Sequence, residues 1–341
     1  MHTTRAGATW FYAACVPHVR DVLIVPTDPD PGFVDLPEWR TEPPAGWDGA
    51  AVDVGDGITI CKLAGDEADA VMDAAEAAGE NFHATRQWSQ LQTFVREISD
   101  QEYAADPHHG DNWDSGHALY RTIALSRLIH DNAFCSEYAG RIIERARQPR
   151  KIVPVASLEL RLAYRLANDR PWLTVAEAEQ LARLRSADDA AELPDRVKRA
   201  FWRTERSAHS PYLSEAVTNT VTGLEALLKT ELHQATRQFT TRVPALATEL
   251  GLDPRAANWA DVYGARSDSS HGSEIALFSP PGWSASAPPH PNAVRVVATA
   301  LRVLRAAIRR AIEDEQFRAK FASDDAVRAA FPIRHEGRPR S

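Results

Sequence analysis

Cysteine is scarce: three in 341 residues, at Cys15, Cys61 and Cys135, odd in number and far apart along the chain. They make neither a CxxC metal half-site nor a disulfide framework, a usage that suits the reducing cytoplasm. No apolar run approaches the roughly 20 residues needed to span a bilayer, which sets a membrane reading aside. Met1 to Cys15 lack a basic n-region and a proper apolar core, so no signal peptide is expected. P-loop, GxGxxG and GxSxG signatures are missing, which leaves nucleotide hydrolysis, Rossmann cofactors and serine-hydrolase chemistry without support. No repeat of fixed period and no low-complexity segment is present. What remains, 44% hydrophobic and 25% charged, is the composition of a folded globular protein with room for two or three domains.

The net charge of −8 is unevenly spread. Residues 1–140 carry 8 basic and 23 acidic side chains, residues 141–341 carry 31 and 24. Such a split lets one half repel nucleic acid while the other holds it, although each half is equally well explained as solvated by its own charges. Almost all the positive charge is arginine, whose planar fork suits bidentate phosphate contacts.

Three regions are expected: a mixed α/β region over 1–105, a helical middle region over 106–207 and a helical domain over 208–328. The fold class is accordingly mainly α. In the first, the apolar runs Trp10–Val16, Asp21–Val25 and Ile58–Leu63 have the length of strands, and Asp66–Ile98 reads as helical. In the second, Leu119, Ile123, Leu125 and Leu128 mark one helix, and Leu158, Leu162 and Leu166 another. Thr174 and Glu177 have the spacing of a capping box. In the third, Leu213, Val217, Val221, Leu224 and Leu228 predict an amphipathic helix from Pro211 to about His233. Asp253-Pro254 reads as a helix start. Val294, Val297, Leu301, Leu304, Ile308 and Ala311 alternate spacings of three and four, a seam suited to a partner helix or to the domain's own core.

Chemistry concentrates in Tyr263-Gly264-Ala265-Arg266-Ser267-Asp268-Ser269-Ser270-His271-Gly272, where an arginine and a histidine flank four small polar residues. Histidine can take and give a proton near neutral pH, and a guanidinium can clamp a phosphate. Five residues along a regular helix is about 500°, so the two positions stand roughly 140° apart. One helix cannot easily aim both at one phosphate, unless it ends between them or two chains each bring a motif to a shared cleft. The plainer reading makes Arg266 a surface residue and His271 a helix C-terminal cap.

Taken with the upstream Gly223-Leu224-Glu225-Ala226-Leu227-Leu228, the motif Arg266-Ser267 through His271-Gly272 and the closing helix, residues 208–320 resemble the Apea-like branch of the HEPN superfamily. Gly264-Ala265 departs from the pattern, which usually has bulkier apolar residues there. The resemblance implies a C-terminal HEPN helical bundle and a metal-independent endoribonuclease needing no cofactor. Arg266 and His271 would be catalytic, and the products a 2′,3′-cyclic phosphate and a 5′-hydroxyl. It also implies a homodimer or larger assembly with a composite cleft, to which the seam from Val294 to Ile308 is a candidate contributor. A toxin-like role in antiviral defence follows, with the N-terminal region sensing a trigger or restraining the nuclease. The rival expectation is a non-catalytic HEPN module that dimerises or binds a partner.

Three further groups stand out. His108, His109, Asp111, Asp114 and His117 have metal-ligand chemistry, which allows a metal-dependent hydrolase, but their turn-rich setting favours a capping loop with Asp114 or Ser115 starting a helix at Ala118. Arg196, Lys198, Arg199, Arg203 and Arg206 surround Phe201 and Trp202, a mixture able to hold single-stranded RNA, while Trp202 could equally be a buried anchor. Arg302, Arg305 and Arg309 form a second basic stripe, by default a solvated flank. Candidate RNA-binding residues are therefore Arg199, Arg203, Arg302, Arg305 and Arg309; no metal site is assigned.

Overall fold

The computed structural model describes residues 8–15, 23–25, 51–62, 92–99, 113–130, 135–145, 148–154, 164–166, 173–208, 210, 213–271 and 291–333. Two compact units emerge, one built from Met1–Asp21, Asp35–Leu160 and Asp169–Asp189, the other from Val22–Val34, Arg161–Asn168 and Ala190–Ser341. Helices predominate in the second unit and an antiparallel sheet in the first, which is the mainly α architecture with a mixed N-terminal region expected from the sequence. No helix among the described residues is long and apolar enough to cross a membrane.

In the first unit, β1 (Ala8–Cys15), β3 (Val52–Gly55), β4 (Ile58–Cys61), β5 (Thr93–Ser99), β6 (Cys135–Arg145) and β7 (Gln148–Pro154) form a sheet in the order β3-β4-β5-β1-β6-β7. The register sets Cys15 opposite Cys135, two residues that look unrelated in sequence. The hairpin between β3 and β4 turns on Gly55, Asp56 and Gly57, all with positive φ (93°, 53° and 67°). That backbone favours glycine and tolerates aspartate. Ile58, Ile60 and Phe94 are fully buried on one side of the sheet.

Helix α1 (Trp113–Ile129) buries Leu119, Ile123, Leu125 and Leu128, the four positions its periodicity marked. It begins five residues earlier than the Ala118 start expected. Helix α2 (Val175–Ala190) opens on the expected capping box: Thr174 N–H donates to the Glu177 carboxylate (2.8 Å), and Glu177 N–H donates to Thr174 Oγ1 (3.3 Å). Buried Arg185 of α2 donates to Thr122 Oγ1 and pairs with Asp56, tying α1, α2 and the hairpin tip together. Arg121 grips Asp188 with both ends of its fork, at 2.8 and 2.6 Å.

Two helical expectations fail. The end of the Asp66–Ile98 stretch is β5, a central strand hydrogen-bonded to both β1 and β4, while residues 66–91 of it lie outside the described residues. Leu158, Leu162 and Leu166 do not share a helix, because Tyr164–Leu166 is strand β8, paired in parallel with β2 (Leu23–Val25). The middle region is thus not wholly helical, since it also supplies β6 and β7. In each case pairing with a strand distant in sequence outweighs a short run of helical spacing.

The second unit packs α3 (Asp195–Ala208), α4 (Leu213–Leu228), α5 (Ala235–Glu249), α6 (Trp259–His271), α7 (Pro291–Glu313), α8 (Glu315–Ala319) and α9 (Asp324–Ala330). Helix α3, placed in the middle region by sequence, belongs here with α4. Ser207 of α3 hydrogen-bonds the Ala216 carbonyl (3.0 Å) and lies 2.9 Å from the Thr220 hydroxyl. The amphipathic helix stops at Leu228, short of His233, and buried Arg242 explains the break. Its guanidinium donates to the carbonyls of Leu228 (2.6 Å) and Phe331 (2.9 Å), satisfying the end of α4. Burial holds the Arg242 pKa below the ordinary arginine value. Helix α6 starts on Asn258, whose side chain accepts from Ala260 N–H (3.2 Å) and donates to Asp261 (2.8 Å). Asp253 instead accepts from Arg255 N–H in the preceding turn, so it is not the helix cap.

The apolar seam of α7 is internal. Val297, Leu301, Leu304, Ile308 and Ala311 are buried within a single chain, Leu304 against Gly223 of α4. A Cβ on Gly223 would stand 2.6 Å from Leu304 Cδ2 and 3.2 Å from Arg203 Cβ. The missing side chain is what lets α3, α4 and α7 approach so closely. The seam is therefore core, which corrects its candidacy as a dimer interface.

Candidate active site

Helix α6 buries Trp259, Val262 and Ala265 at spacings of three. Phe239 of α5 holds its aromatic side, with ring centroids 6.5 Å from Trp259 and 5.2 Å from Tyr263. This anchoring turns Tyr263 and Arg266 toward α4, where Glu225 waits. Arg266 Nη2 lies 3.5 Å from Glu225 Oε2, and Tyr263 Oη donates to Glu225 Oε1 at 3.3 Å. Lys229, the residue just past the end of α4, brings its ammonium to 3.8 Å from the same oxygen. The Arg266 guanidinium also sits 6.0 Å from the centroid of the Tyr263 ring. Burial, then the neighbouring Glu225 carboxylate, pushes the Tyr263 hydroxyl above the ordinary tyrosine value, with Arg266 acting in the opposite direction.

Arg266 is thus a half-buried cation with a fixed carboxylate neighbour. Glu225 and Tyr263 had no assigned role in the sequence, although both lie inside the stretches that marked the region. Their signal was helical spacing: Tyr263 precedes Arg266 by three, and Glu225 precedes Lys229 by four. His271 is the last residue of α6, so the helix runs unbroken from Arg266 to it and does not end between the two. The His271 side chain lies outside the described residues, as does Gly272.

The other expected site residues separate. Lys198, Arg199, Arg203 and Arg206 share one side of α3 and line an open groove of about 780 Å³ with residues of α4 and the segment after it. Phe201 is the buried ring there, and Trp202 is 44% exposed, so Trp202 is not a buried anchor. Arg302, Arg305 and Arg309 do not make one solvated stripe: Arg302 is exposed, Arg305 is buried, and Arg309 donates to Glu313 at 3.1 Å. Of the metal-type cluster, His108, His109 and Asp111 lie outside the described residues, and Asp114 and His117 fall in the first turns of α1, their side chains undescribed. No group of three or more metal-ligating side chains occurs among the described residues.

Comparison with protein-family models, curated proteins and solved structures finds no match to this chain. The functional reading therefore rests on the residues and their geometry.

Proposed function

We propose that the second unit is a HEPN-type endoribonuclease that cleaves RNA through its own 2′-hydroxyl without a metal ion. The observation that carries the reading is the contact between the two stretches on which the resemblance rests: Glu225 of the Gly223–Leu228 stretch meets Arg266 at 3.5 Å. Stretches 38 residues and more apart in sequence thus form one side-chain cluster on adjacent helices. In the proposed reaction an imidazole takes the 2′-hydroxyl proton as the 2′-oxygen attacks phosphorus. The guanidinium of Arg266 stabilises the charge gathering on the phosphorane. The P–O5′ bond breaks, and an imidazolium returns a proton to the leaving 5′-oxygen. The products are a 2′,3′-cyclic phosphate and a 5′-hydroxyl.

Separate base and acid roles require two imidazoles. Positions 266 and 271 share an uninterrupted helix about 140° apart, which supports a cleft composed from two copies, each giving one arginine and one histidine. The first unit then senses a trigger or restrains the nuclease, and the protein acts in the cytoplasm as a toxin-like effector in antiviral defence. Glu225 favours a second reading: by countering Arg266 it suits a non-catalytic HEPN module that binds a partner without cutting. Incubating the purified full-length chain with RNA in chelator separates these. Cutting that His271→Ala abolishes supports the nuclease; cutting only with added metal, or cutting untouched by His271→Ala, overturns it. A wild-type chain that leaves RNA intact in every condition fits either the interaction module or a nuclease still restrained by the first unit.

A further inference from the structure

Both large hydrophobic side chains that are exposed among the described residues, Trp202 (44%) and Leu232 (88%), line the groove between α3 and the end of α4. Apolar surface left open beside a concentration of cations is costly unless something covers it, and it marks an interaction site. The charges of the groove are not balanced. Its three carboxylates already have cationic neighbours: Glu225 has Arg266 and Lys229, Glu231 has Arg328 at 3.6 Å, and Asp324 has Arg196. Arg196 is further committed to the carbonyls of Ala226 (3.1 Å) and Lys229 (2.8 Å), and Arg203 to the Asn219 side chain (3.0 Å). Lys198, Arg199 and Arg206 remain exposed along α3, with no carboxylate in contact among the described residues. Like-charge crowding is felt here, since burial and then Arg199 lower the Arg196 pKa.

Positions 198, 199, 202 and 206 recur at three- and four-residue steps, so they form one strip about 12 Å long with the indole in the middle. Cations on both sides of an exposed aromatic ring are the two elements by which unpaired nucleotides are held: backbone charge on the flanks, a base on the ring. A duplex keeps its bases stacked inside and would leave the indole unused. We propose that this groove binds a single-stranded polynucleotide, one base stacking on Trp202 and the adjoining phosphates taken by Lys198, Arg199 and Arg206. Through Glu225, which both lines the groove and contacts Arg266, the strand is delivered beside the proposed cleavage site. The inference rests on the ribonuclease reading only in taking RNA as the strand.

The test is fluorescence anisotropy of end-labelled U12 RNA, with dT12 and a blunt RNA duplex as comparison arms, on the full chain carrying His271→Ala. Trp202→Ala should weaken U12 binding about tenfold, and Trp202→Phe should restore most of it. Arg199→Gln with Arg206→Gln should flatten the slope of log K against log salt by about 1.4. Unchanged thermal melting shows that these exposed substitutions leave the fold intact. Equal response of U12 and dT12 to the variants supports the groove as a general single-strand site, and a preference for U12 supports delivery of RNA. Binding that ignores Trp202, or duplex that binds as tightly as U12, overturns the proposal. Binding through the groove by a wild-type chain that does not cut supports the groove independently of the ribonuclease reading; cutting that is indifferent to these variants overturns the groove alone.

Discussion

Glu225 and Arg266 approach to 3.5 Å across the α4–α6 packing, joining a carboxylate that is 10% exposed to a guanidinium that is 32% exposed. A pair this sheltered is more than a surface ion pair, and losing either partner leaves the other with a poorly solvated charge. The Tyr263 hydroxyl reports on it. Glu225→Gln should lower the Tyr263 pKa while burial keeps it above the ordinary value, and Arg266→Ala should raise it further. Ultraviolet titration against a Tyr263→Phe reference reads both shifts, and shifts in the same direction would refute the arrangement. In the cleavage assay Arg266→Ala should cost about 10²–10³ in kcat, and Arg266→Lys should recover little, because the ammonium lacks the planar fork.

Two glycines of the second unit should respond to alanine with opposite signs. Gly264 faces open space on α6, with nothing within 4 Å of an added Cβ. Gly264→Ala should therefore stabilise the helix by about 0.5–1 kcal/mol through reduced backbone freedom in the unfolded chain. Gly223→Ala drives a methyl into fully buried Leu304 and against Arg203 Cβ, and should destabilise by about 1–3 kcal/mol. Denaturant melts of the two variants check the signs, and a neutral Gly223→Ala would mean that the helices can part at no cost.

Much of the helical architecture was legible because burial follows period. The positions marked on α1, and those from Val297 to Ala311 marked on α7, are buried, and the Thr174–Glu177 box was readable from spacing alone. Strands β5 and β8 were not, because the partners that make them strands lie elsewhere in the chain and leave no local trace. The site was half legible. Arg266 stood out as a residue type, but its contact with Glu225 depends on a packing angle that spacing does not encode. Arg305 misled for a related reason: helical spacing gives a direction around the axis, not what covers it.

Acid should loosen the C-terminal helices through Asp314. Its carboxylate accepts from Phe317 N–H at 3.1 Å to cap α8, and takes a 2.9 Å hydrogen bond from Arg310. The Phe317 bond and then Arg310 hold its pKa below the ordinary aspartate value. A carboxylate depressed in the folded state contributes stability that is present above the unfolded pKa and lost as pH falls through the folded one. The Tm advantage of the wild type over Asp314→Asn should therefore be full at pH 6 and shrink to nothing as the pH drops well below 3.8. An advantage unchanged at low pH would remove Asp314 from the account.

The composite cleft calls for a test that does not pass through the core. Leu304→Glu, the obvious charge to place in the α7 seam, would bury a carboxylate at a fully enclosed position, so it should unfold the second unit and not release intact monomers. Complementation avoids this. Positions 266 and 271 stand about 140° apart on one unbroken helix, so they fall on different sides of it. If two copies complete one cleft, Arg266→Ala and His271→Ala chains should each be inactive alone. Their heterodimer keeps one arginine and one histidine, so with a single imidazole to serve as both base and acid, mixing the two chains should restore partial cleavage at best. Any gain should rise with concentration and disappear on dilution below the dissociation constant. Light scattering alongside the assay supplies the decisive contrast: a wild-type chain that is monomeric at full activity places both groups in one copy and removes the need for a partner.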